Sequence, residues 1–289
     1  MLLYDLDQDC MVYSKNEKEK RQVASLTKLL AILVAIEEIE DLSQKITVYW
    51  DDIQGYYDYS KVGFSQGDEV SYMDLLYGMM LPSGADAALL ITKHVAGSEE
   101  KFAKLMNEKA KELGMYDSCF DNAVGSDSDQ NYSTAYDLMK LINYALKNPV
   151  FLKLFTAKSY KIEHLNIEME TTVDYYTRDT NIDIDFILGS KTGYTDEAGR
   201  CLASLVSHEG NRFVLITLGG AEDDVVSAIR DSSEVYDEFT QNYHKTEVIK
   251  KDEHIISLPI EFAWKDYYEI DMPESIYRFI DSENNIYIQ

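Results

Sequence analysis

The feature that most constrains this chain is the run Leu29-Leu30-Ala31-Ile32-Leu33-Val34-Ala35-Ile36, headed by Ala24-Ser25-Leu26-Thr27-Lys28. An apolar run of this length predicts a helix around which the rest of the chain is organised. Residues three apart share a helix face, so the Ser25 hydroxyl and the Lys28 amine are expected to meet one turn apart at its N-terminus. Serine is a weak nucleophile at neutral pH, and a neighbouring neutral amine that takes its proton is one way to activate it. Spacing alone is weak support, because Ser98-Glu99-Glu100-Lys101 carries the same pattern. That second copy reads as a helix cap followed by solvated charges.

Composition narrows the partners. The formal net charge of -25 would repel nucleic acid and anionic lipid, and its plainest role is solubility. No stretch of about 18 uncharged apolar residues appears, so membrane anchoring is not visible in this chain. No basic, apolar leader precedes the first strand-like run, so an exported product is expected to have lost its leader. Cys10, Cys119 and Cys201 are too few and too scattered for a disulfide framework. The histidines show no metal-ligand spacing, and neither a metal nor a cofactor is expected.

In chain order, Leu2–Leu6 and Cys10–Tyr13 read as a hairpin. Residues 46–70 read as loops with short strands, 73–80 as a helix stopped at Pro82, and Ser83–Leu90 as a small-residue turn opening a buried helix. Glu99–Leu113 and Thr134–Lys147 are expected helices, the second ending near Pro149. Residues 150–185 give little signal. Phe186–Gly193 reads as a strand, and Cys201–Val206 pairs with Phe213–Leu218 across the turn at Glu209-Gly210-Asn211. A closing helix spans Asp224–Tyr243. The fold class is α+β: one antiparallel sheet built from both ends of the main domain, 1–244, and covered by a helical cluster. Residues 245–289 are expected to form a small β-rich extension, read as truncated at Gln289.

Three separated pieces then stand in order: Ser25-Leu26-Thr27-Lys28, Ser83-Gly84-Ala85 and Lys191-Thr192-Gly193. Ser-x-x-Lys, a Ser-x-Asn element and Lys-Thr-Gly together mark penicillin-binding proteins and class A β-lactamases. With Leu81–Ala88, Tyr132–Asp137 and Gly189–Gly199 around them, the chain closely resembles the low-molecular-mass D-alanyl-D-alanine carboxypeptidases over about Leu2–Tyr243. The resemblance implies a β-lactamase/transpeptidase-like fold and a serine DD-carboxypeptidase that trims terminal D-alanine from peptidoglycan stem peptides. It also implies β-lactams as covalent inhibitors and extracytoplasmic placement.

Physical roles can be assigned to the pieces. If Lys191 points at Lys28, two like charges in a partly buried cleft would lower at least one amine pKa and leave a neutral base for Ser25. Gly193 has no side chain, so an extended peptide could pair along its strand edge, with the Thr192 hydroxyl holding the substrate carboxylate. By resemblance, the backbone N–H groups of Ser25 and Tyr194 form the oxyanion hole, and Ser83 relays a proton between Lys28 and the leaving amine. Arg230 resembles an arginine that helps bind the carboxylate, the plainer alternative being an exposed helix charge. Tyr132 and Tyr136 are expected to pack. One departure stands out: Ala85 occupies a place where the family usually has Asn.

Two other readings remain open to test. A class A β-lactamase needs a glutamate for its deacylating water in a Glu-x-x-x-Asn setting, and Glu163-His164-Leu165-Asn166 has the wrong spacing. A non-catalytic wall-binding relative would have little reason to keep Ser25, Lys28, Ser83 and Lys191.

Overall fold

The computed structural model describes residues 1–261, 264 and 267–281. Its centre is a five-stranded antiparallel sheet in the order β2-β1-β9-β8-β7, made of β1 (Leu2–Asp5), β2 (Cys10–Ser14), β7 (Ile187–Thr195), β8 (Gly199–His208) and β9 (Asn211–Gly220). The two ends of the main unit therefore meet in one sheet, with Leu2 opposite Ile216.

The helix headed by Ser25 is α1 (Thr27–Glu38), and every residue from Thr27 to Ala35 is buried. A helix apolar on all sides can be stable only inside the core. Around it pack α2 (Tyr72–Met80), α3 (Ala85–Ala96), α4 (Glu99–Glu112), α5 (Ala135–Ala145) and α6 (Pro149–Phe155). This cluster covers one face of the sheet, where Val214 and Ile216 join the same core as Leu29 and Leu33. The alternate residues Phe213 and Leu215 bury on the opposite face with Phe239 of α8 (Ser227–Asn242). Burial on both faces explains why β9 reads as a continuous apolar run rather than an alternating one.

The weakly patterned stretch 150–185 is ordered. Asn148 caps α6 through bonds from the Val150 and Phe151 N–H groups, and Pro149 opens that helix at a position where its missing N–H costs nothing. A hairpin follows, β5 (Ser159–Ile162) with β6 (Ile167–Glu170), then the short α7 (Thr172–Thr177). In 46–70 the expected short strands are β3 (Lys45–Thr47) and β4 (Glu69–Ser71), paired to each other.

After α8 the chain forms two further antiparallel pairs, β10 (Tyr243–Ile249) with β13 (Ile276–Asp281) and β11 (His254–Pro259) with β12 (Tyr267–Asp271). The first pair is stitched to the main sheet, where Phe279 packs on Phe213 and Phe239, and Arg278 donates to Gln8. Both strands of the second pair are exposed along their length. The part of the expected β-rich extension at 262–263, 265–266 and 282–289 lies outside the described residues. No helix among the described residues is long and apolar enough to cross a membrane.

Candidate active site

The three motifs converge on one cleft of about 480 Å³, lined by Ser25, Ser83, Thr192, Gly193 and Tyr194. Ser25 sits in a short 3-10 turn, Ala24–Leu26, that leads into α1. Ala24 holds a left-handed backbone (φ +48), as does Ser83 (φ +64) at the turn before α3. Non-glycine residues in this region cost about 1–3 kcal/mol each, and such outliers cluster where a side chain must be aimed.

Two glycines let neighbouring backbone close on the Ser25 turn. A Cβ on Gly193 would lie 3.0 Å from the Ser25 nitrogen, and one on Gly125 only 2.1 Å from the Ala24 carbonyl oxygen. The first contact sets β7 beside the Ser25 turn. The second presses the loop at Val124-Gly125 onto its other side, held there by the Asn122 side chain, which accepts from the Gly125 and Ser126 N–H groups.

Lys28 Nζ lies 3.0 Å from Ser25 Oγ and 2.5 Å from the Val124 carbonyl oxygen. The side chain is 0% exposed. Burial removes the water that would solvate an ammonium, and this lowers the Lys28 pKa to about 7 against the opposing pull of the Asp86 carboxylate. Lys191, 1% exposed, donates to Ser83 Oγ at 2.8 Å and to the Thr192 carbonyl at 2.7 Å. Its pKa falls well below the usual lysine range, chiefly through burial and further through the charge of Lys28. The low pKa values thus arise mainly from desolvation, with like-charge repulsion a secondary cause that acts on Lys191. Ser83 is bonded to Lys191, and no hydrogen bond joins it to Lys28 among the described residues.

β7 is an edge strand, so its outer side carries backbone groups that no sheet neighbour pairs. Near Ile187 and Gly189 that side is covered, with Lys158 donating to the Ile187 carbonyl and Phe155 packed on Gly189. From Thr192 to Thr195 it opens onto the cleft. The Thr192 hydroxyl is hydrogen-bonded to that of Thr172, at the start of α7.

Arg230 does not line the cleft. It is turned outward into an ion pair with Asp224 at 3.0 Å, while Val225, Ala228 and Ile229 form that wall. Ala85 is fully buried and also absent from the lining. Tyr132 and Tyr136 lie outside the lining too, each beneath a lysine.

Several contributors carried no sequence-based assignment. Arg200 of β8 lines the cleft, its guanidinium 3.6 Å above the Tyr194 ring and its Nε buried with no hydrogen-bond partner among the described residues. Thr172 and Tyr176 come from the weakly patterned stretch. Asp86, 2% exposed, accepts from the Val62 and Gly63 N–H groups at 2.9 and 2.8 Å and so anchors the loop that supplies Asp58, Tyr59 and Ser60 to the rim. A lone carboxylate at the start of a small, apolar helix was the available signal for it.

A buried Ser-Lys pair facing a second Ser-Lys pair at an open sheet edge defines a serine acyl-transfer site. The family profile for D-alanyl-D-alanine carboxypeptidases (Peptidase_S11) matches residues 1–222, and the chain belongs to that family of serine peptidases. It is similar to the D-alanyl-D-alanine carboxypeptidase DacF of Bacillus subtilis (strain 168), 27% identical over 284 residues that cover 95% of this chain and 70% of the relative. It is also similar to the D-alanyl-D-alanine carboxypeptidase of Streptomyces sp. (strain K15), 30% identical over 223 residues, 70% of this chain and 74% of the relative. The fold matches that of DacD from Francisella tularensis with a TM-score of 0.77 at 22% identity, covering 97% of this chain and 80% of the other.

Proposed function

We propose that the protein removes the terminal D-alanine from peptidoglycan stem peptides through an acyl-enzyme on Ser25, acting outside the cytoplasmic membrane. The observation that carries this is the 3.0 Å approach of Ser25 Oγ to a fully buried amine with a pKa of about 7. A neutral amine has two N–H groups and one lone pair. The Val124 carbonyl can only accept, so it takes an N–H and leaves the lone pair for the Ser25 proton.

Ser25 Oγ then bonds to the carbonyl carbon between the two D-alanines as its proton passes to Lys28. The developing oxyanion would be met by the backbone N–H groups of Ser25 and Tyr194, donors typically worth about 3 kcal/mol each in the transition state. As the C–N bond breaks, the leaving amine takes up the proton that Lys28 received, relayed by the Ser83 hydroxyl that Lys191 holds, and Lys28 is left neutral for the second step. Lys28 then takes a proton from water as the water oxygen bonds to the acyl carbon, and returns it to Ser25 Oγ as the ester bond breaks. The shortened peptide leaves with a new C-terminal D-alanine carboxylate.

The peptide would lie along the open edge of β7 from Thr192 to Thr195, its terminal carboxylate near the Thr192 hydroxyl. Arg200, the one cation in the cleft lining among the described residues, is better disposed than Arg230 to meet that carboxylate. β-Lactams would acylate the same serine.

The test is D-alanine release from a synthetic stem pentapeptide, with intact-mass analysis after benzylpenicillin and Ser25→Ala as control. Release and a single adduct, both lost in the variant, are expected. A protein that binds the peptide without releasing D-alanine would overturn the assignment in favour of a scaffold.

A further inference from the structure

We propose that His208, Glu209 and His244 form a surface site for a borderline transition-metal ion such as Zn²⁺, joining the β8–β9 turn to the first strand after α8. The two histidines are 36 positions apart in sequence, so spacing conceals the cluster, but the fold gathers one ligand atom from each of the three residues within 4.8 Å of one another. Glu209 Oε1 lies 3.1 Å from His244 Nδ1 and 3.8 Å from His208 Nε2. Ligand atoms around a tetrahedral zinc, with bonds of about 2.0–2.1 Å, stand about 3.4 Å apart. The two separations bracket that spacing, and the remaining adjustment falls to the His244 ring, 57% exposed and able to turn.

The surroundings are those of a supported site. Phe239 and Phe279 wedge the His208 ring at centroid distances of 5.2 and 5.6 Å. The Lys245 backbone N–H donates to Glu209 Oε2 at 2.7 Å, which holds the carboxylate with Oε1 toward His244. Such outer contacts orient ligands and raise affinity. The Lys245 ammonium is drawn away to Asn211 Oδ1, and the chain's net charge of -25 favours a bound cation. Binding would replace two contacts, His244 to Glu209 and His208 Nε2 to the Tyr243 carbonyl, and leave the fourth position to water. Two imidazoles and one carboxylate suit zinc, nickel or copper far better than magnesium or calcium.

The experiment is calorimetric titration of the full chain with ZnCl₂, with MgCl₂ as control, repeated on His244→Ala and Glu209→Gln. Thermal unfolding is followed in parallel. One saturable zinc per chain with a Kd of about 10 µM or tighter is expected, with a rise in Tm on loading. Each variant should weaken binding at least tenfold and lose the Tm rise, and magnesium should do neither. No saturable zinc binding, or zinc binding unchanged in both variants, would overturn the site. His244 is exposed and outside the catalytic cleft, so D-alanine release by metal-free His244→Ala should match the parent and serves as a check on folding.

Discussion

Two segments of this molecule share the pattern Ser-x-x-Lys and differ in everything else. Ser98-Glu99-Glu100-Lys101 opens α4, where Ser98 Oγ accepts the Lys101 backbone N–H at 3.3 Å and the Lys101 side chain stays in solvent. Ser25-Leu26-Thr27-Lys28 opens α1, where the lysine is sealed in the core and turned onto the serine hydroxyl. Spacing lets the two groups reach each other. Removal of water from the amine is what separates them: a solvated lysine near pH 7 holds its proton and has no lone pair to offer, whereas burial lowers the Lys28 pKa to about 7.

The comparison can be broken at either end. Lys28→Ala should slow benzylpenicillin acylation about 10³-fold, within the usual range for loss of a general base, while Lys101→Ala leaves it unchanged. Equal losses in stopped-flow or mass-spectrometric time courses would erase the distinction.

Next in size is a stability effect of burial. Lys28 has a folded pKa of about 7 and an unfolded value of about 10.4, so between those pH values the unfolded chain binds more protons and stability rises with pH. The penalty for burying the charge is complete below about pH 7 and gone above about 10.4. Lys28→Met should therefore raise Tm most near pH 6.5 and progressively less toward pH 10. Lys101→Met should show no such trend in matched thermal melts.

A smaller shift is expected from Asp86→Asn. The Asp86 carboxylate supports the charged form of Lys28, so removing it lowers that pKa and moves the rising limb of the acylation profile to lower pH. A move to higher pH would contradict this sign. Smallest of all, Ser98→Ala should cost about 1 kcal/mol of stability in denaturant titration through loss of the helix cap, with acylation unaltered.

Much of the fold and the motif set could be read from sequence because each signal is contiguous. The α1 run, the β8–β9 hairpin and the Lys191-Thr192-Gly193 strand each carry their pattern within a dozen residues. The walls of the cleft could not be read in this way. Thr172 and Tyr176 belong to α7, a six-residue element whose apolar faces are chosen by distant contacts rather than by its own period. Arg200 is the second residue of β8 and gives no periodic clue that it leans over Tyr194. Arg230 kept two readings open in the sequence, a carboxylate ligand or an exposed helix charge, for a related reason. A helix shows which residues share a face but not which face meets the cleft, and Ala228 and Ile229 take that side of α8. The cause of the lysine shifts was likewise hidden, since like charges can be counted in a sequence and depth of burial cannot.

The central claim is that Lys28 is uncharged near neutral pH, and the most direct test is its own titration. Lysine labelled with ¹³C at Cε should show one resonance, absent in Lys28→Arg, that titrates with a midpoint near pH 7. A midpoint near the ordinary lysine value of about 10.4 would contradict the claim and, with it, the proposal that Lys28 serves Ser25 as a base.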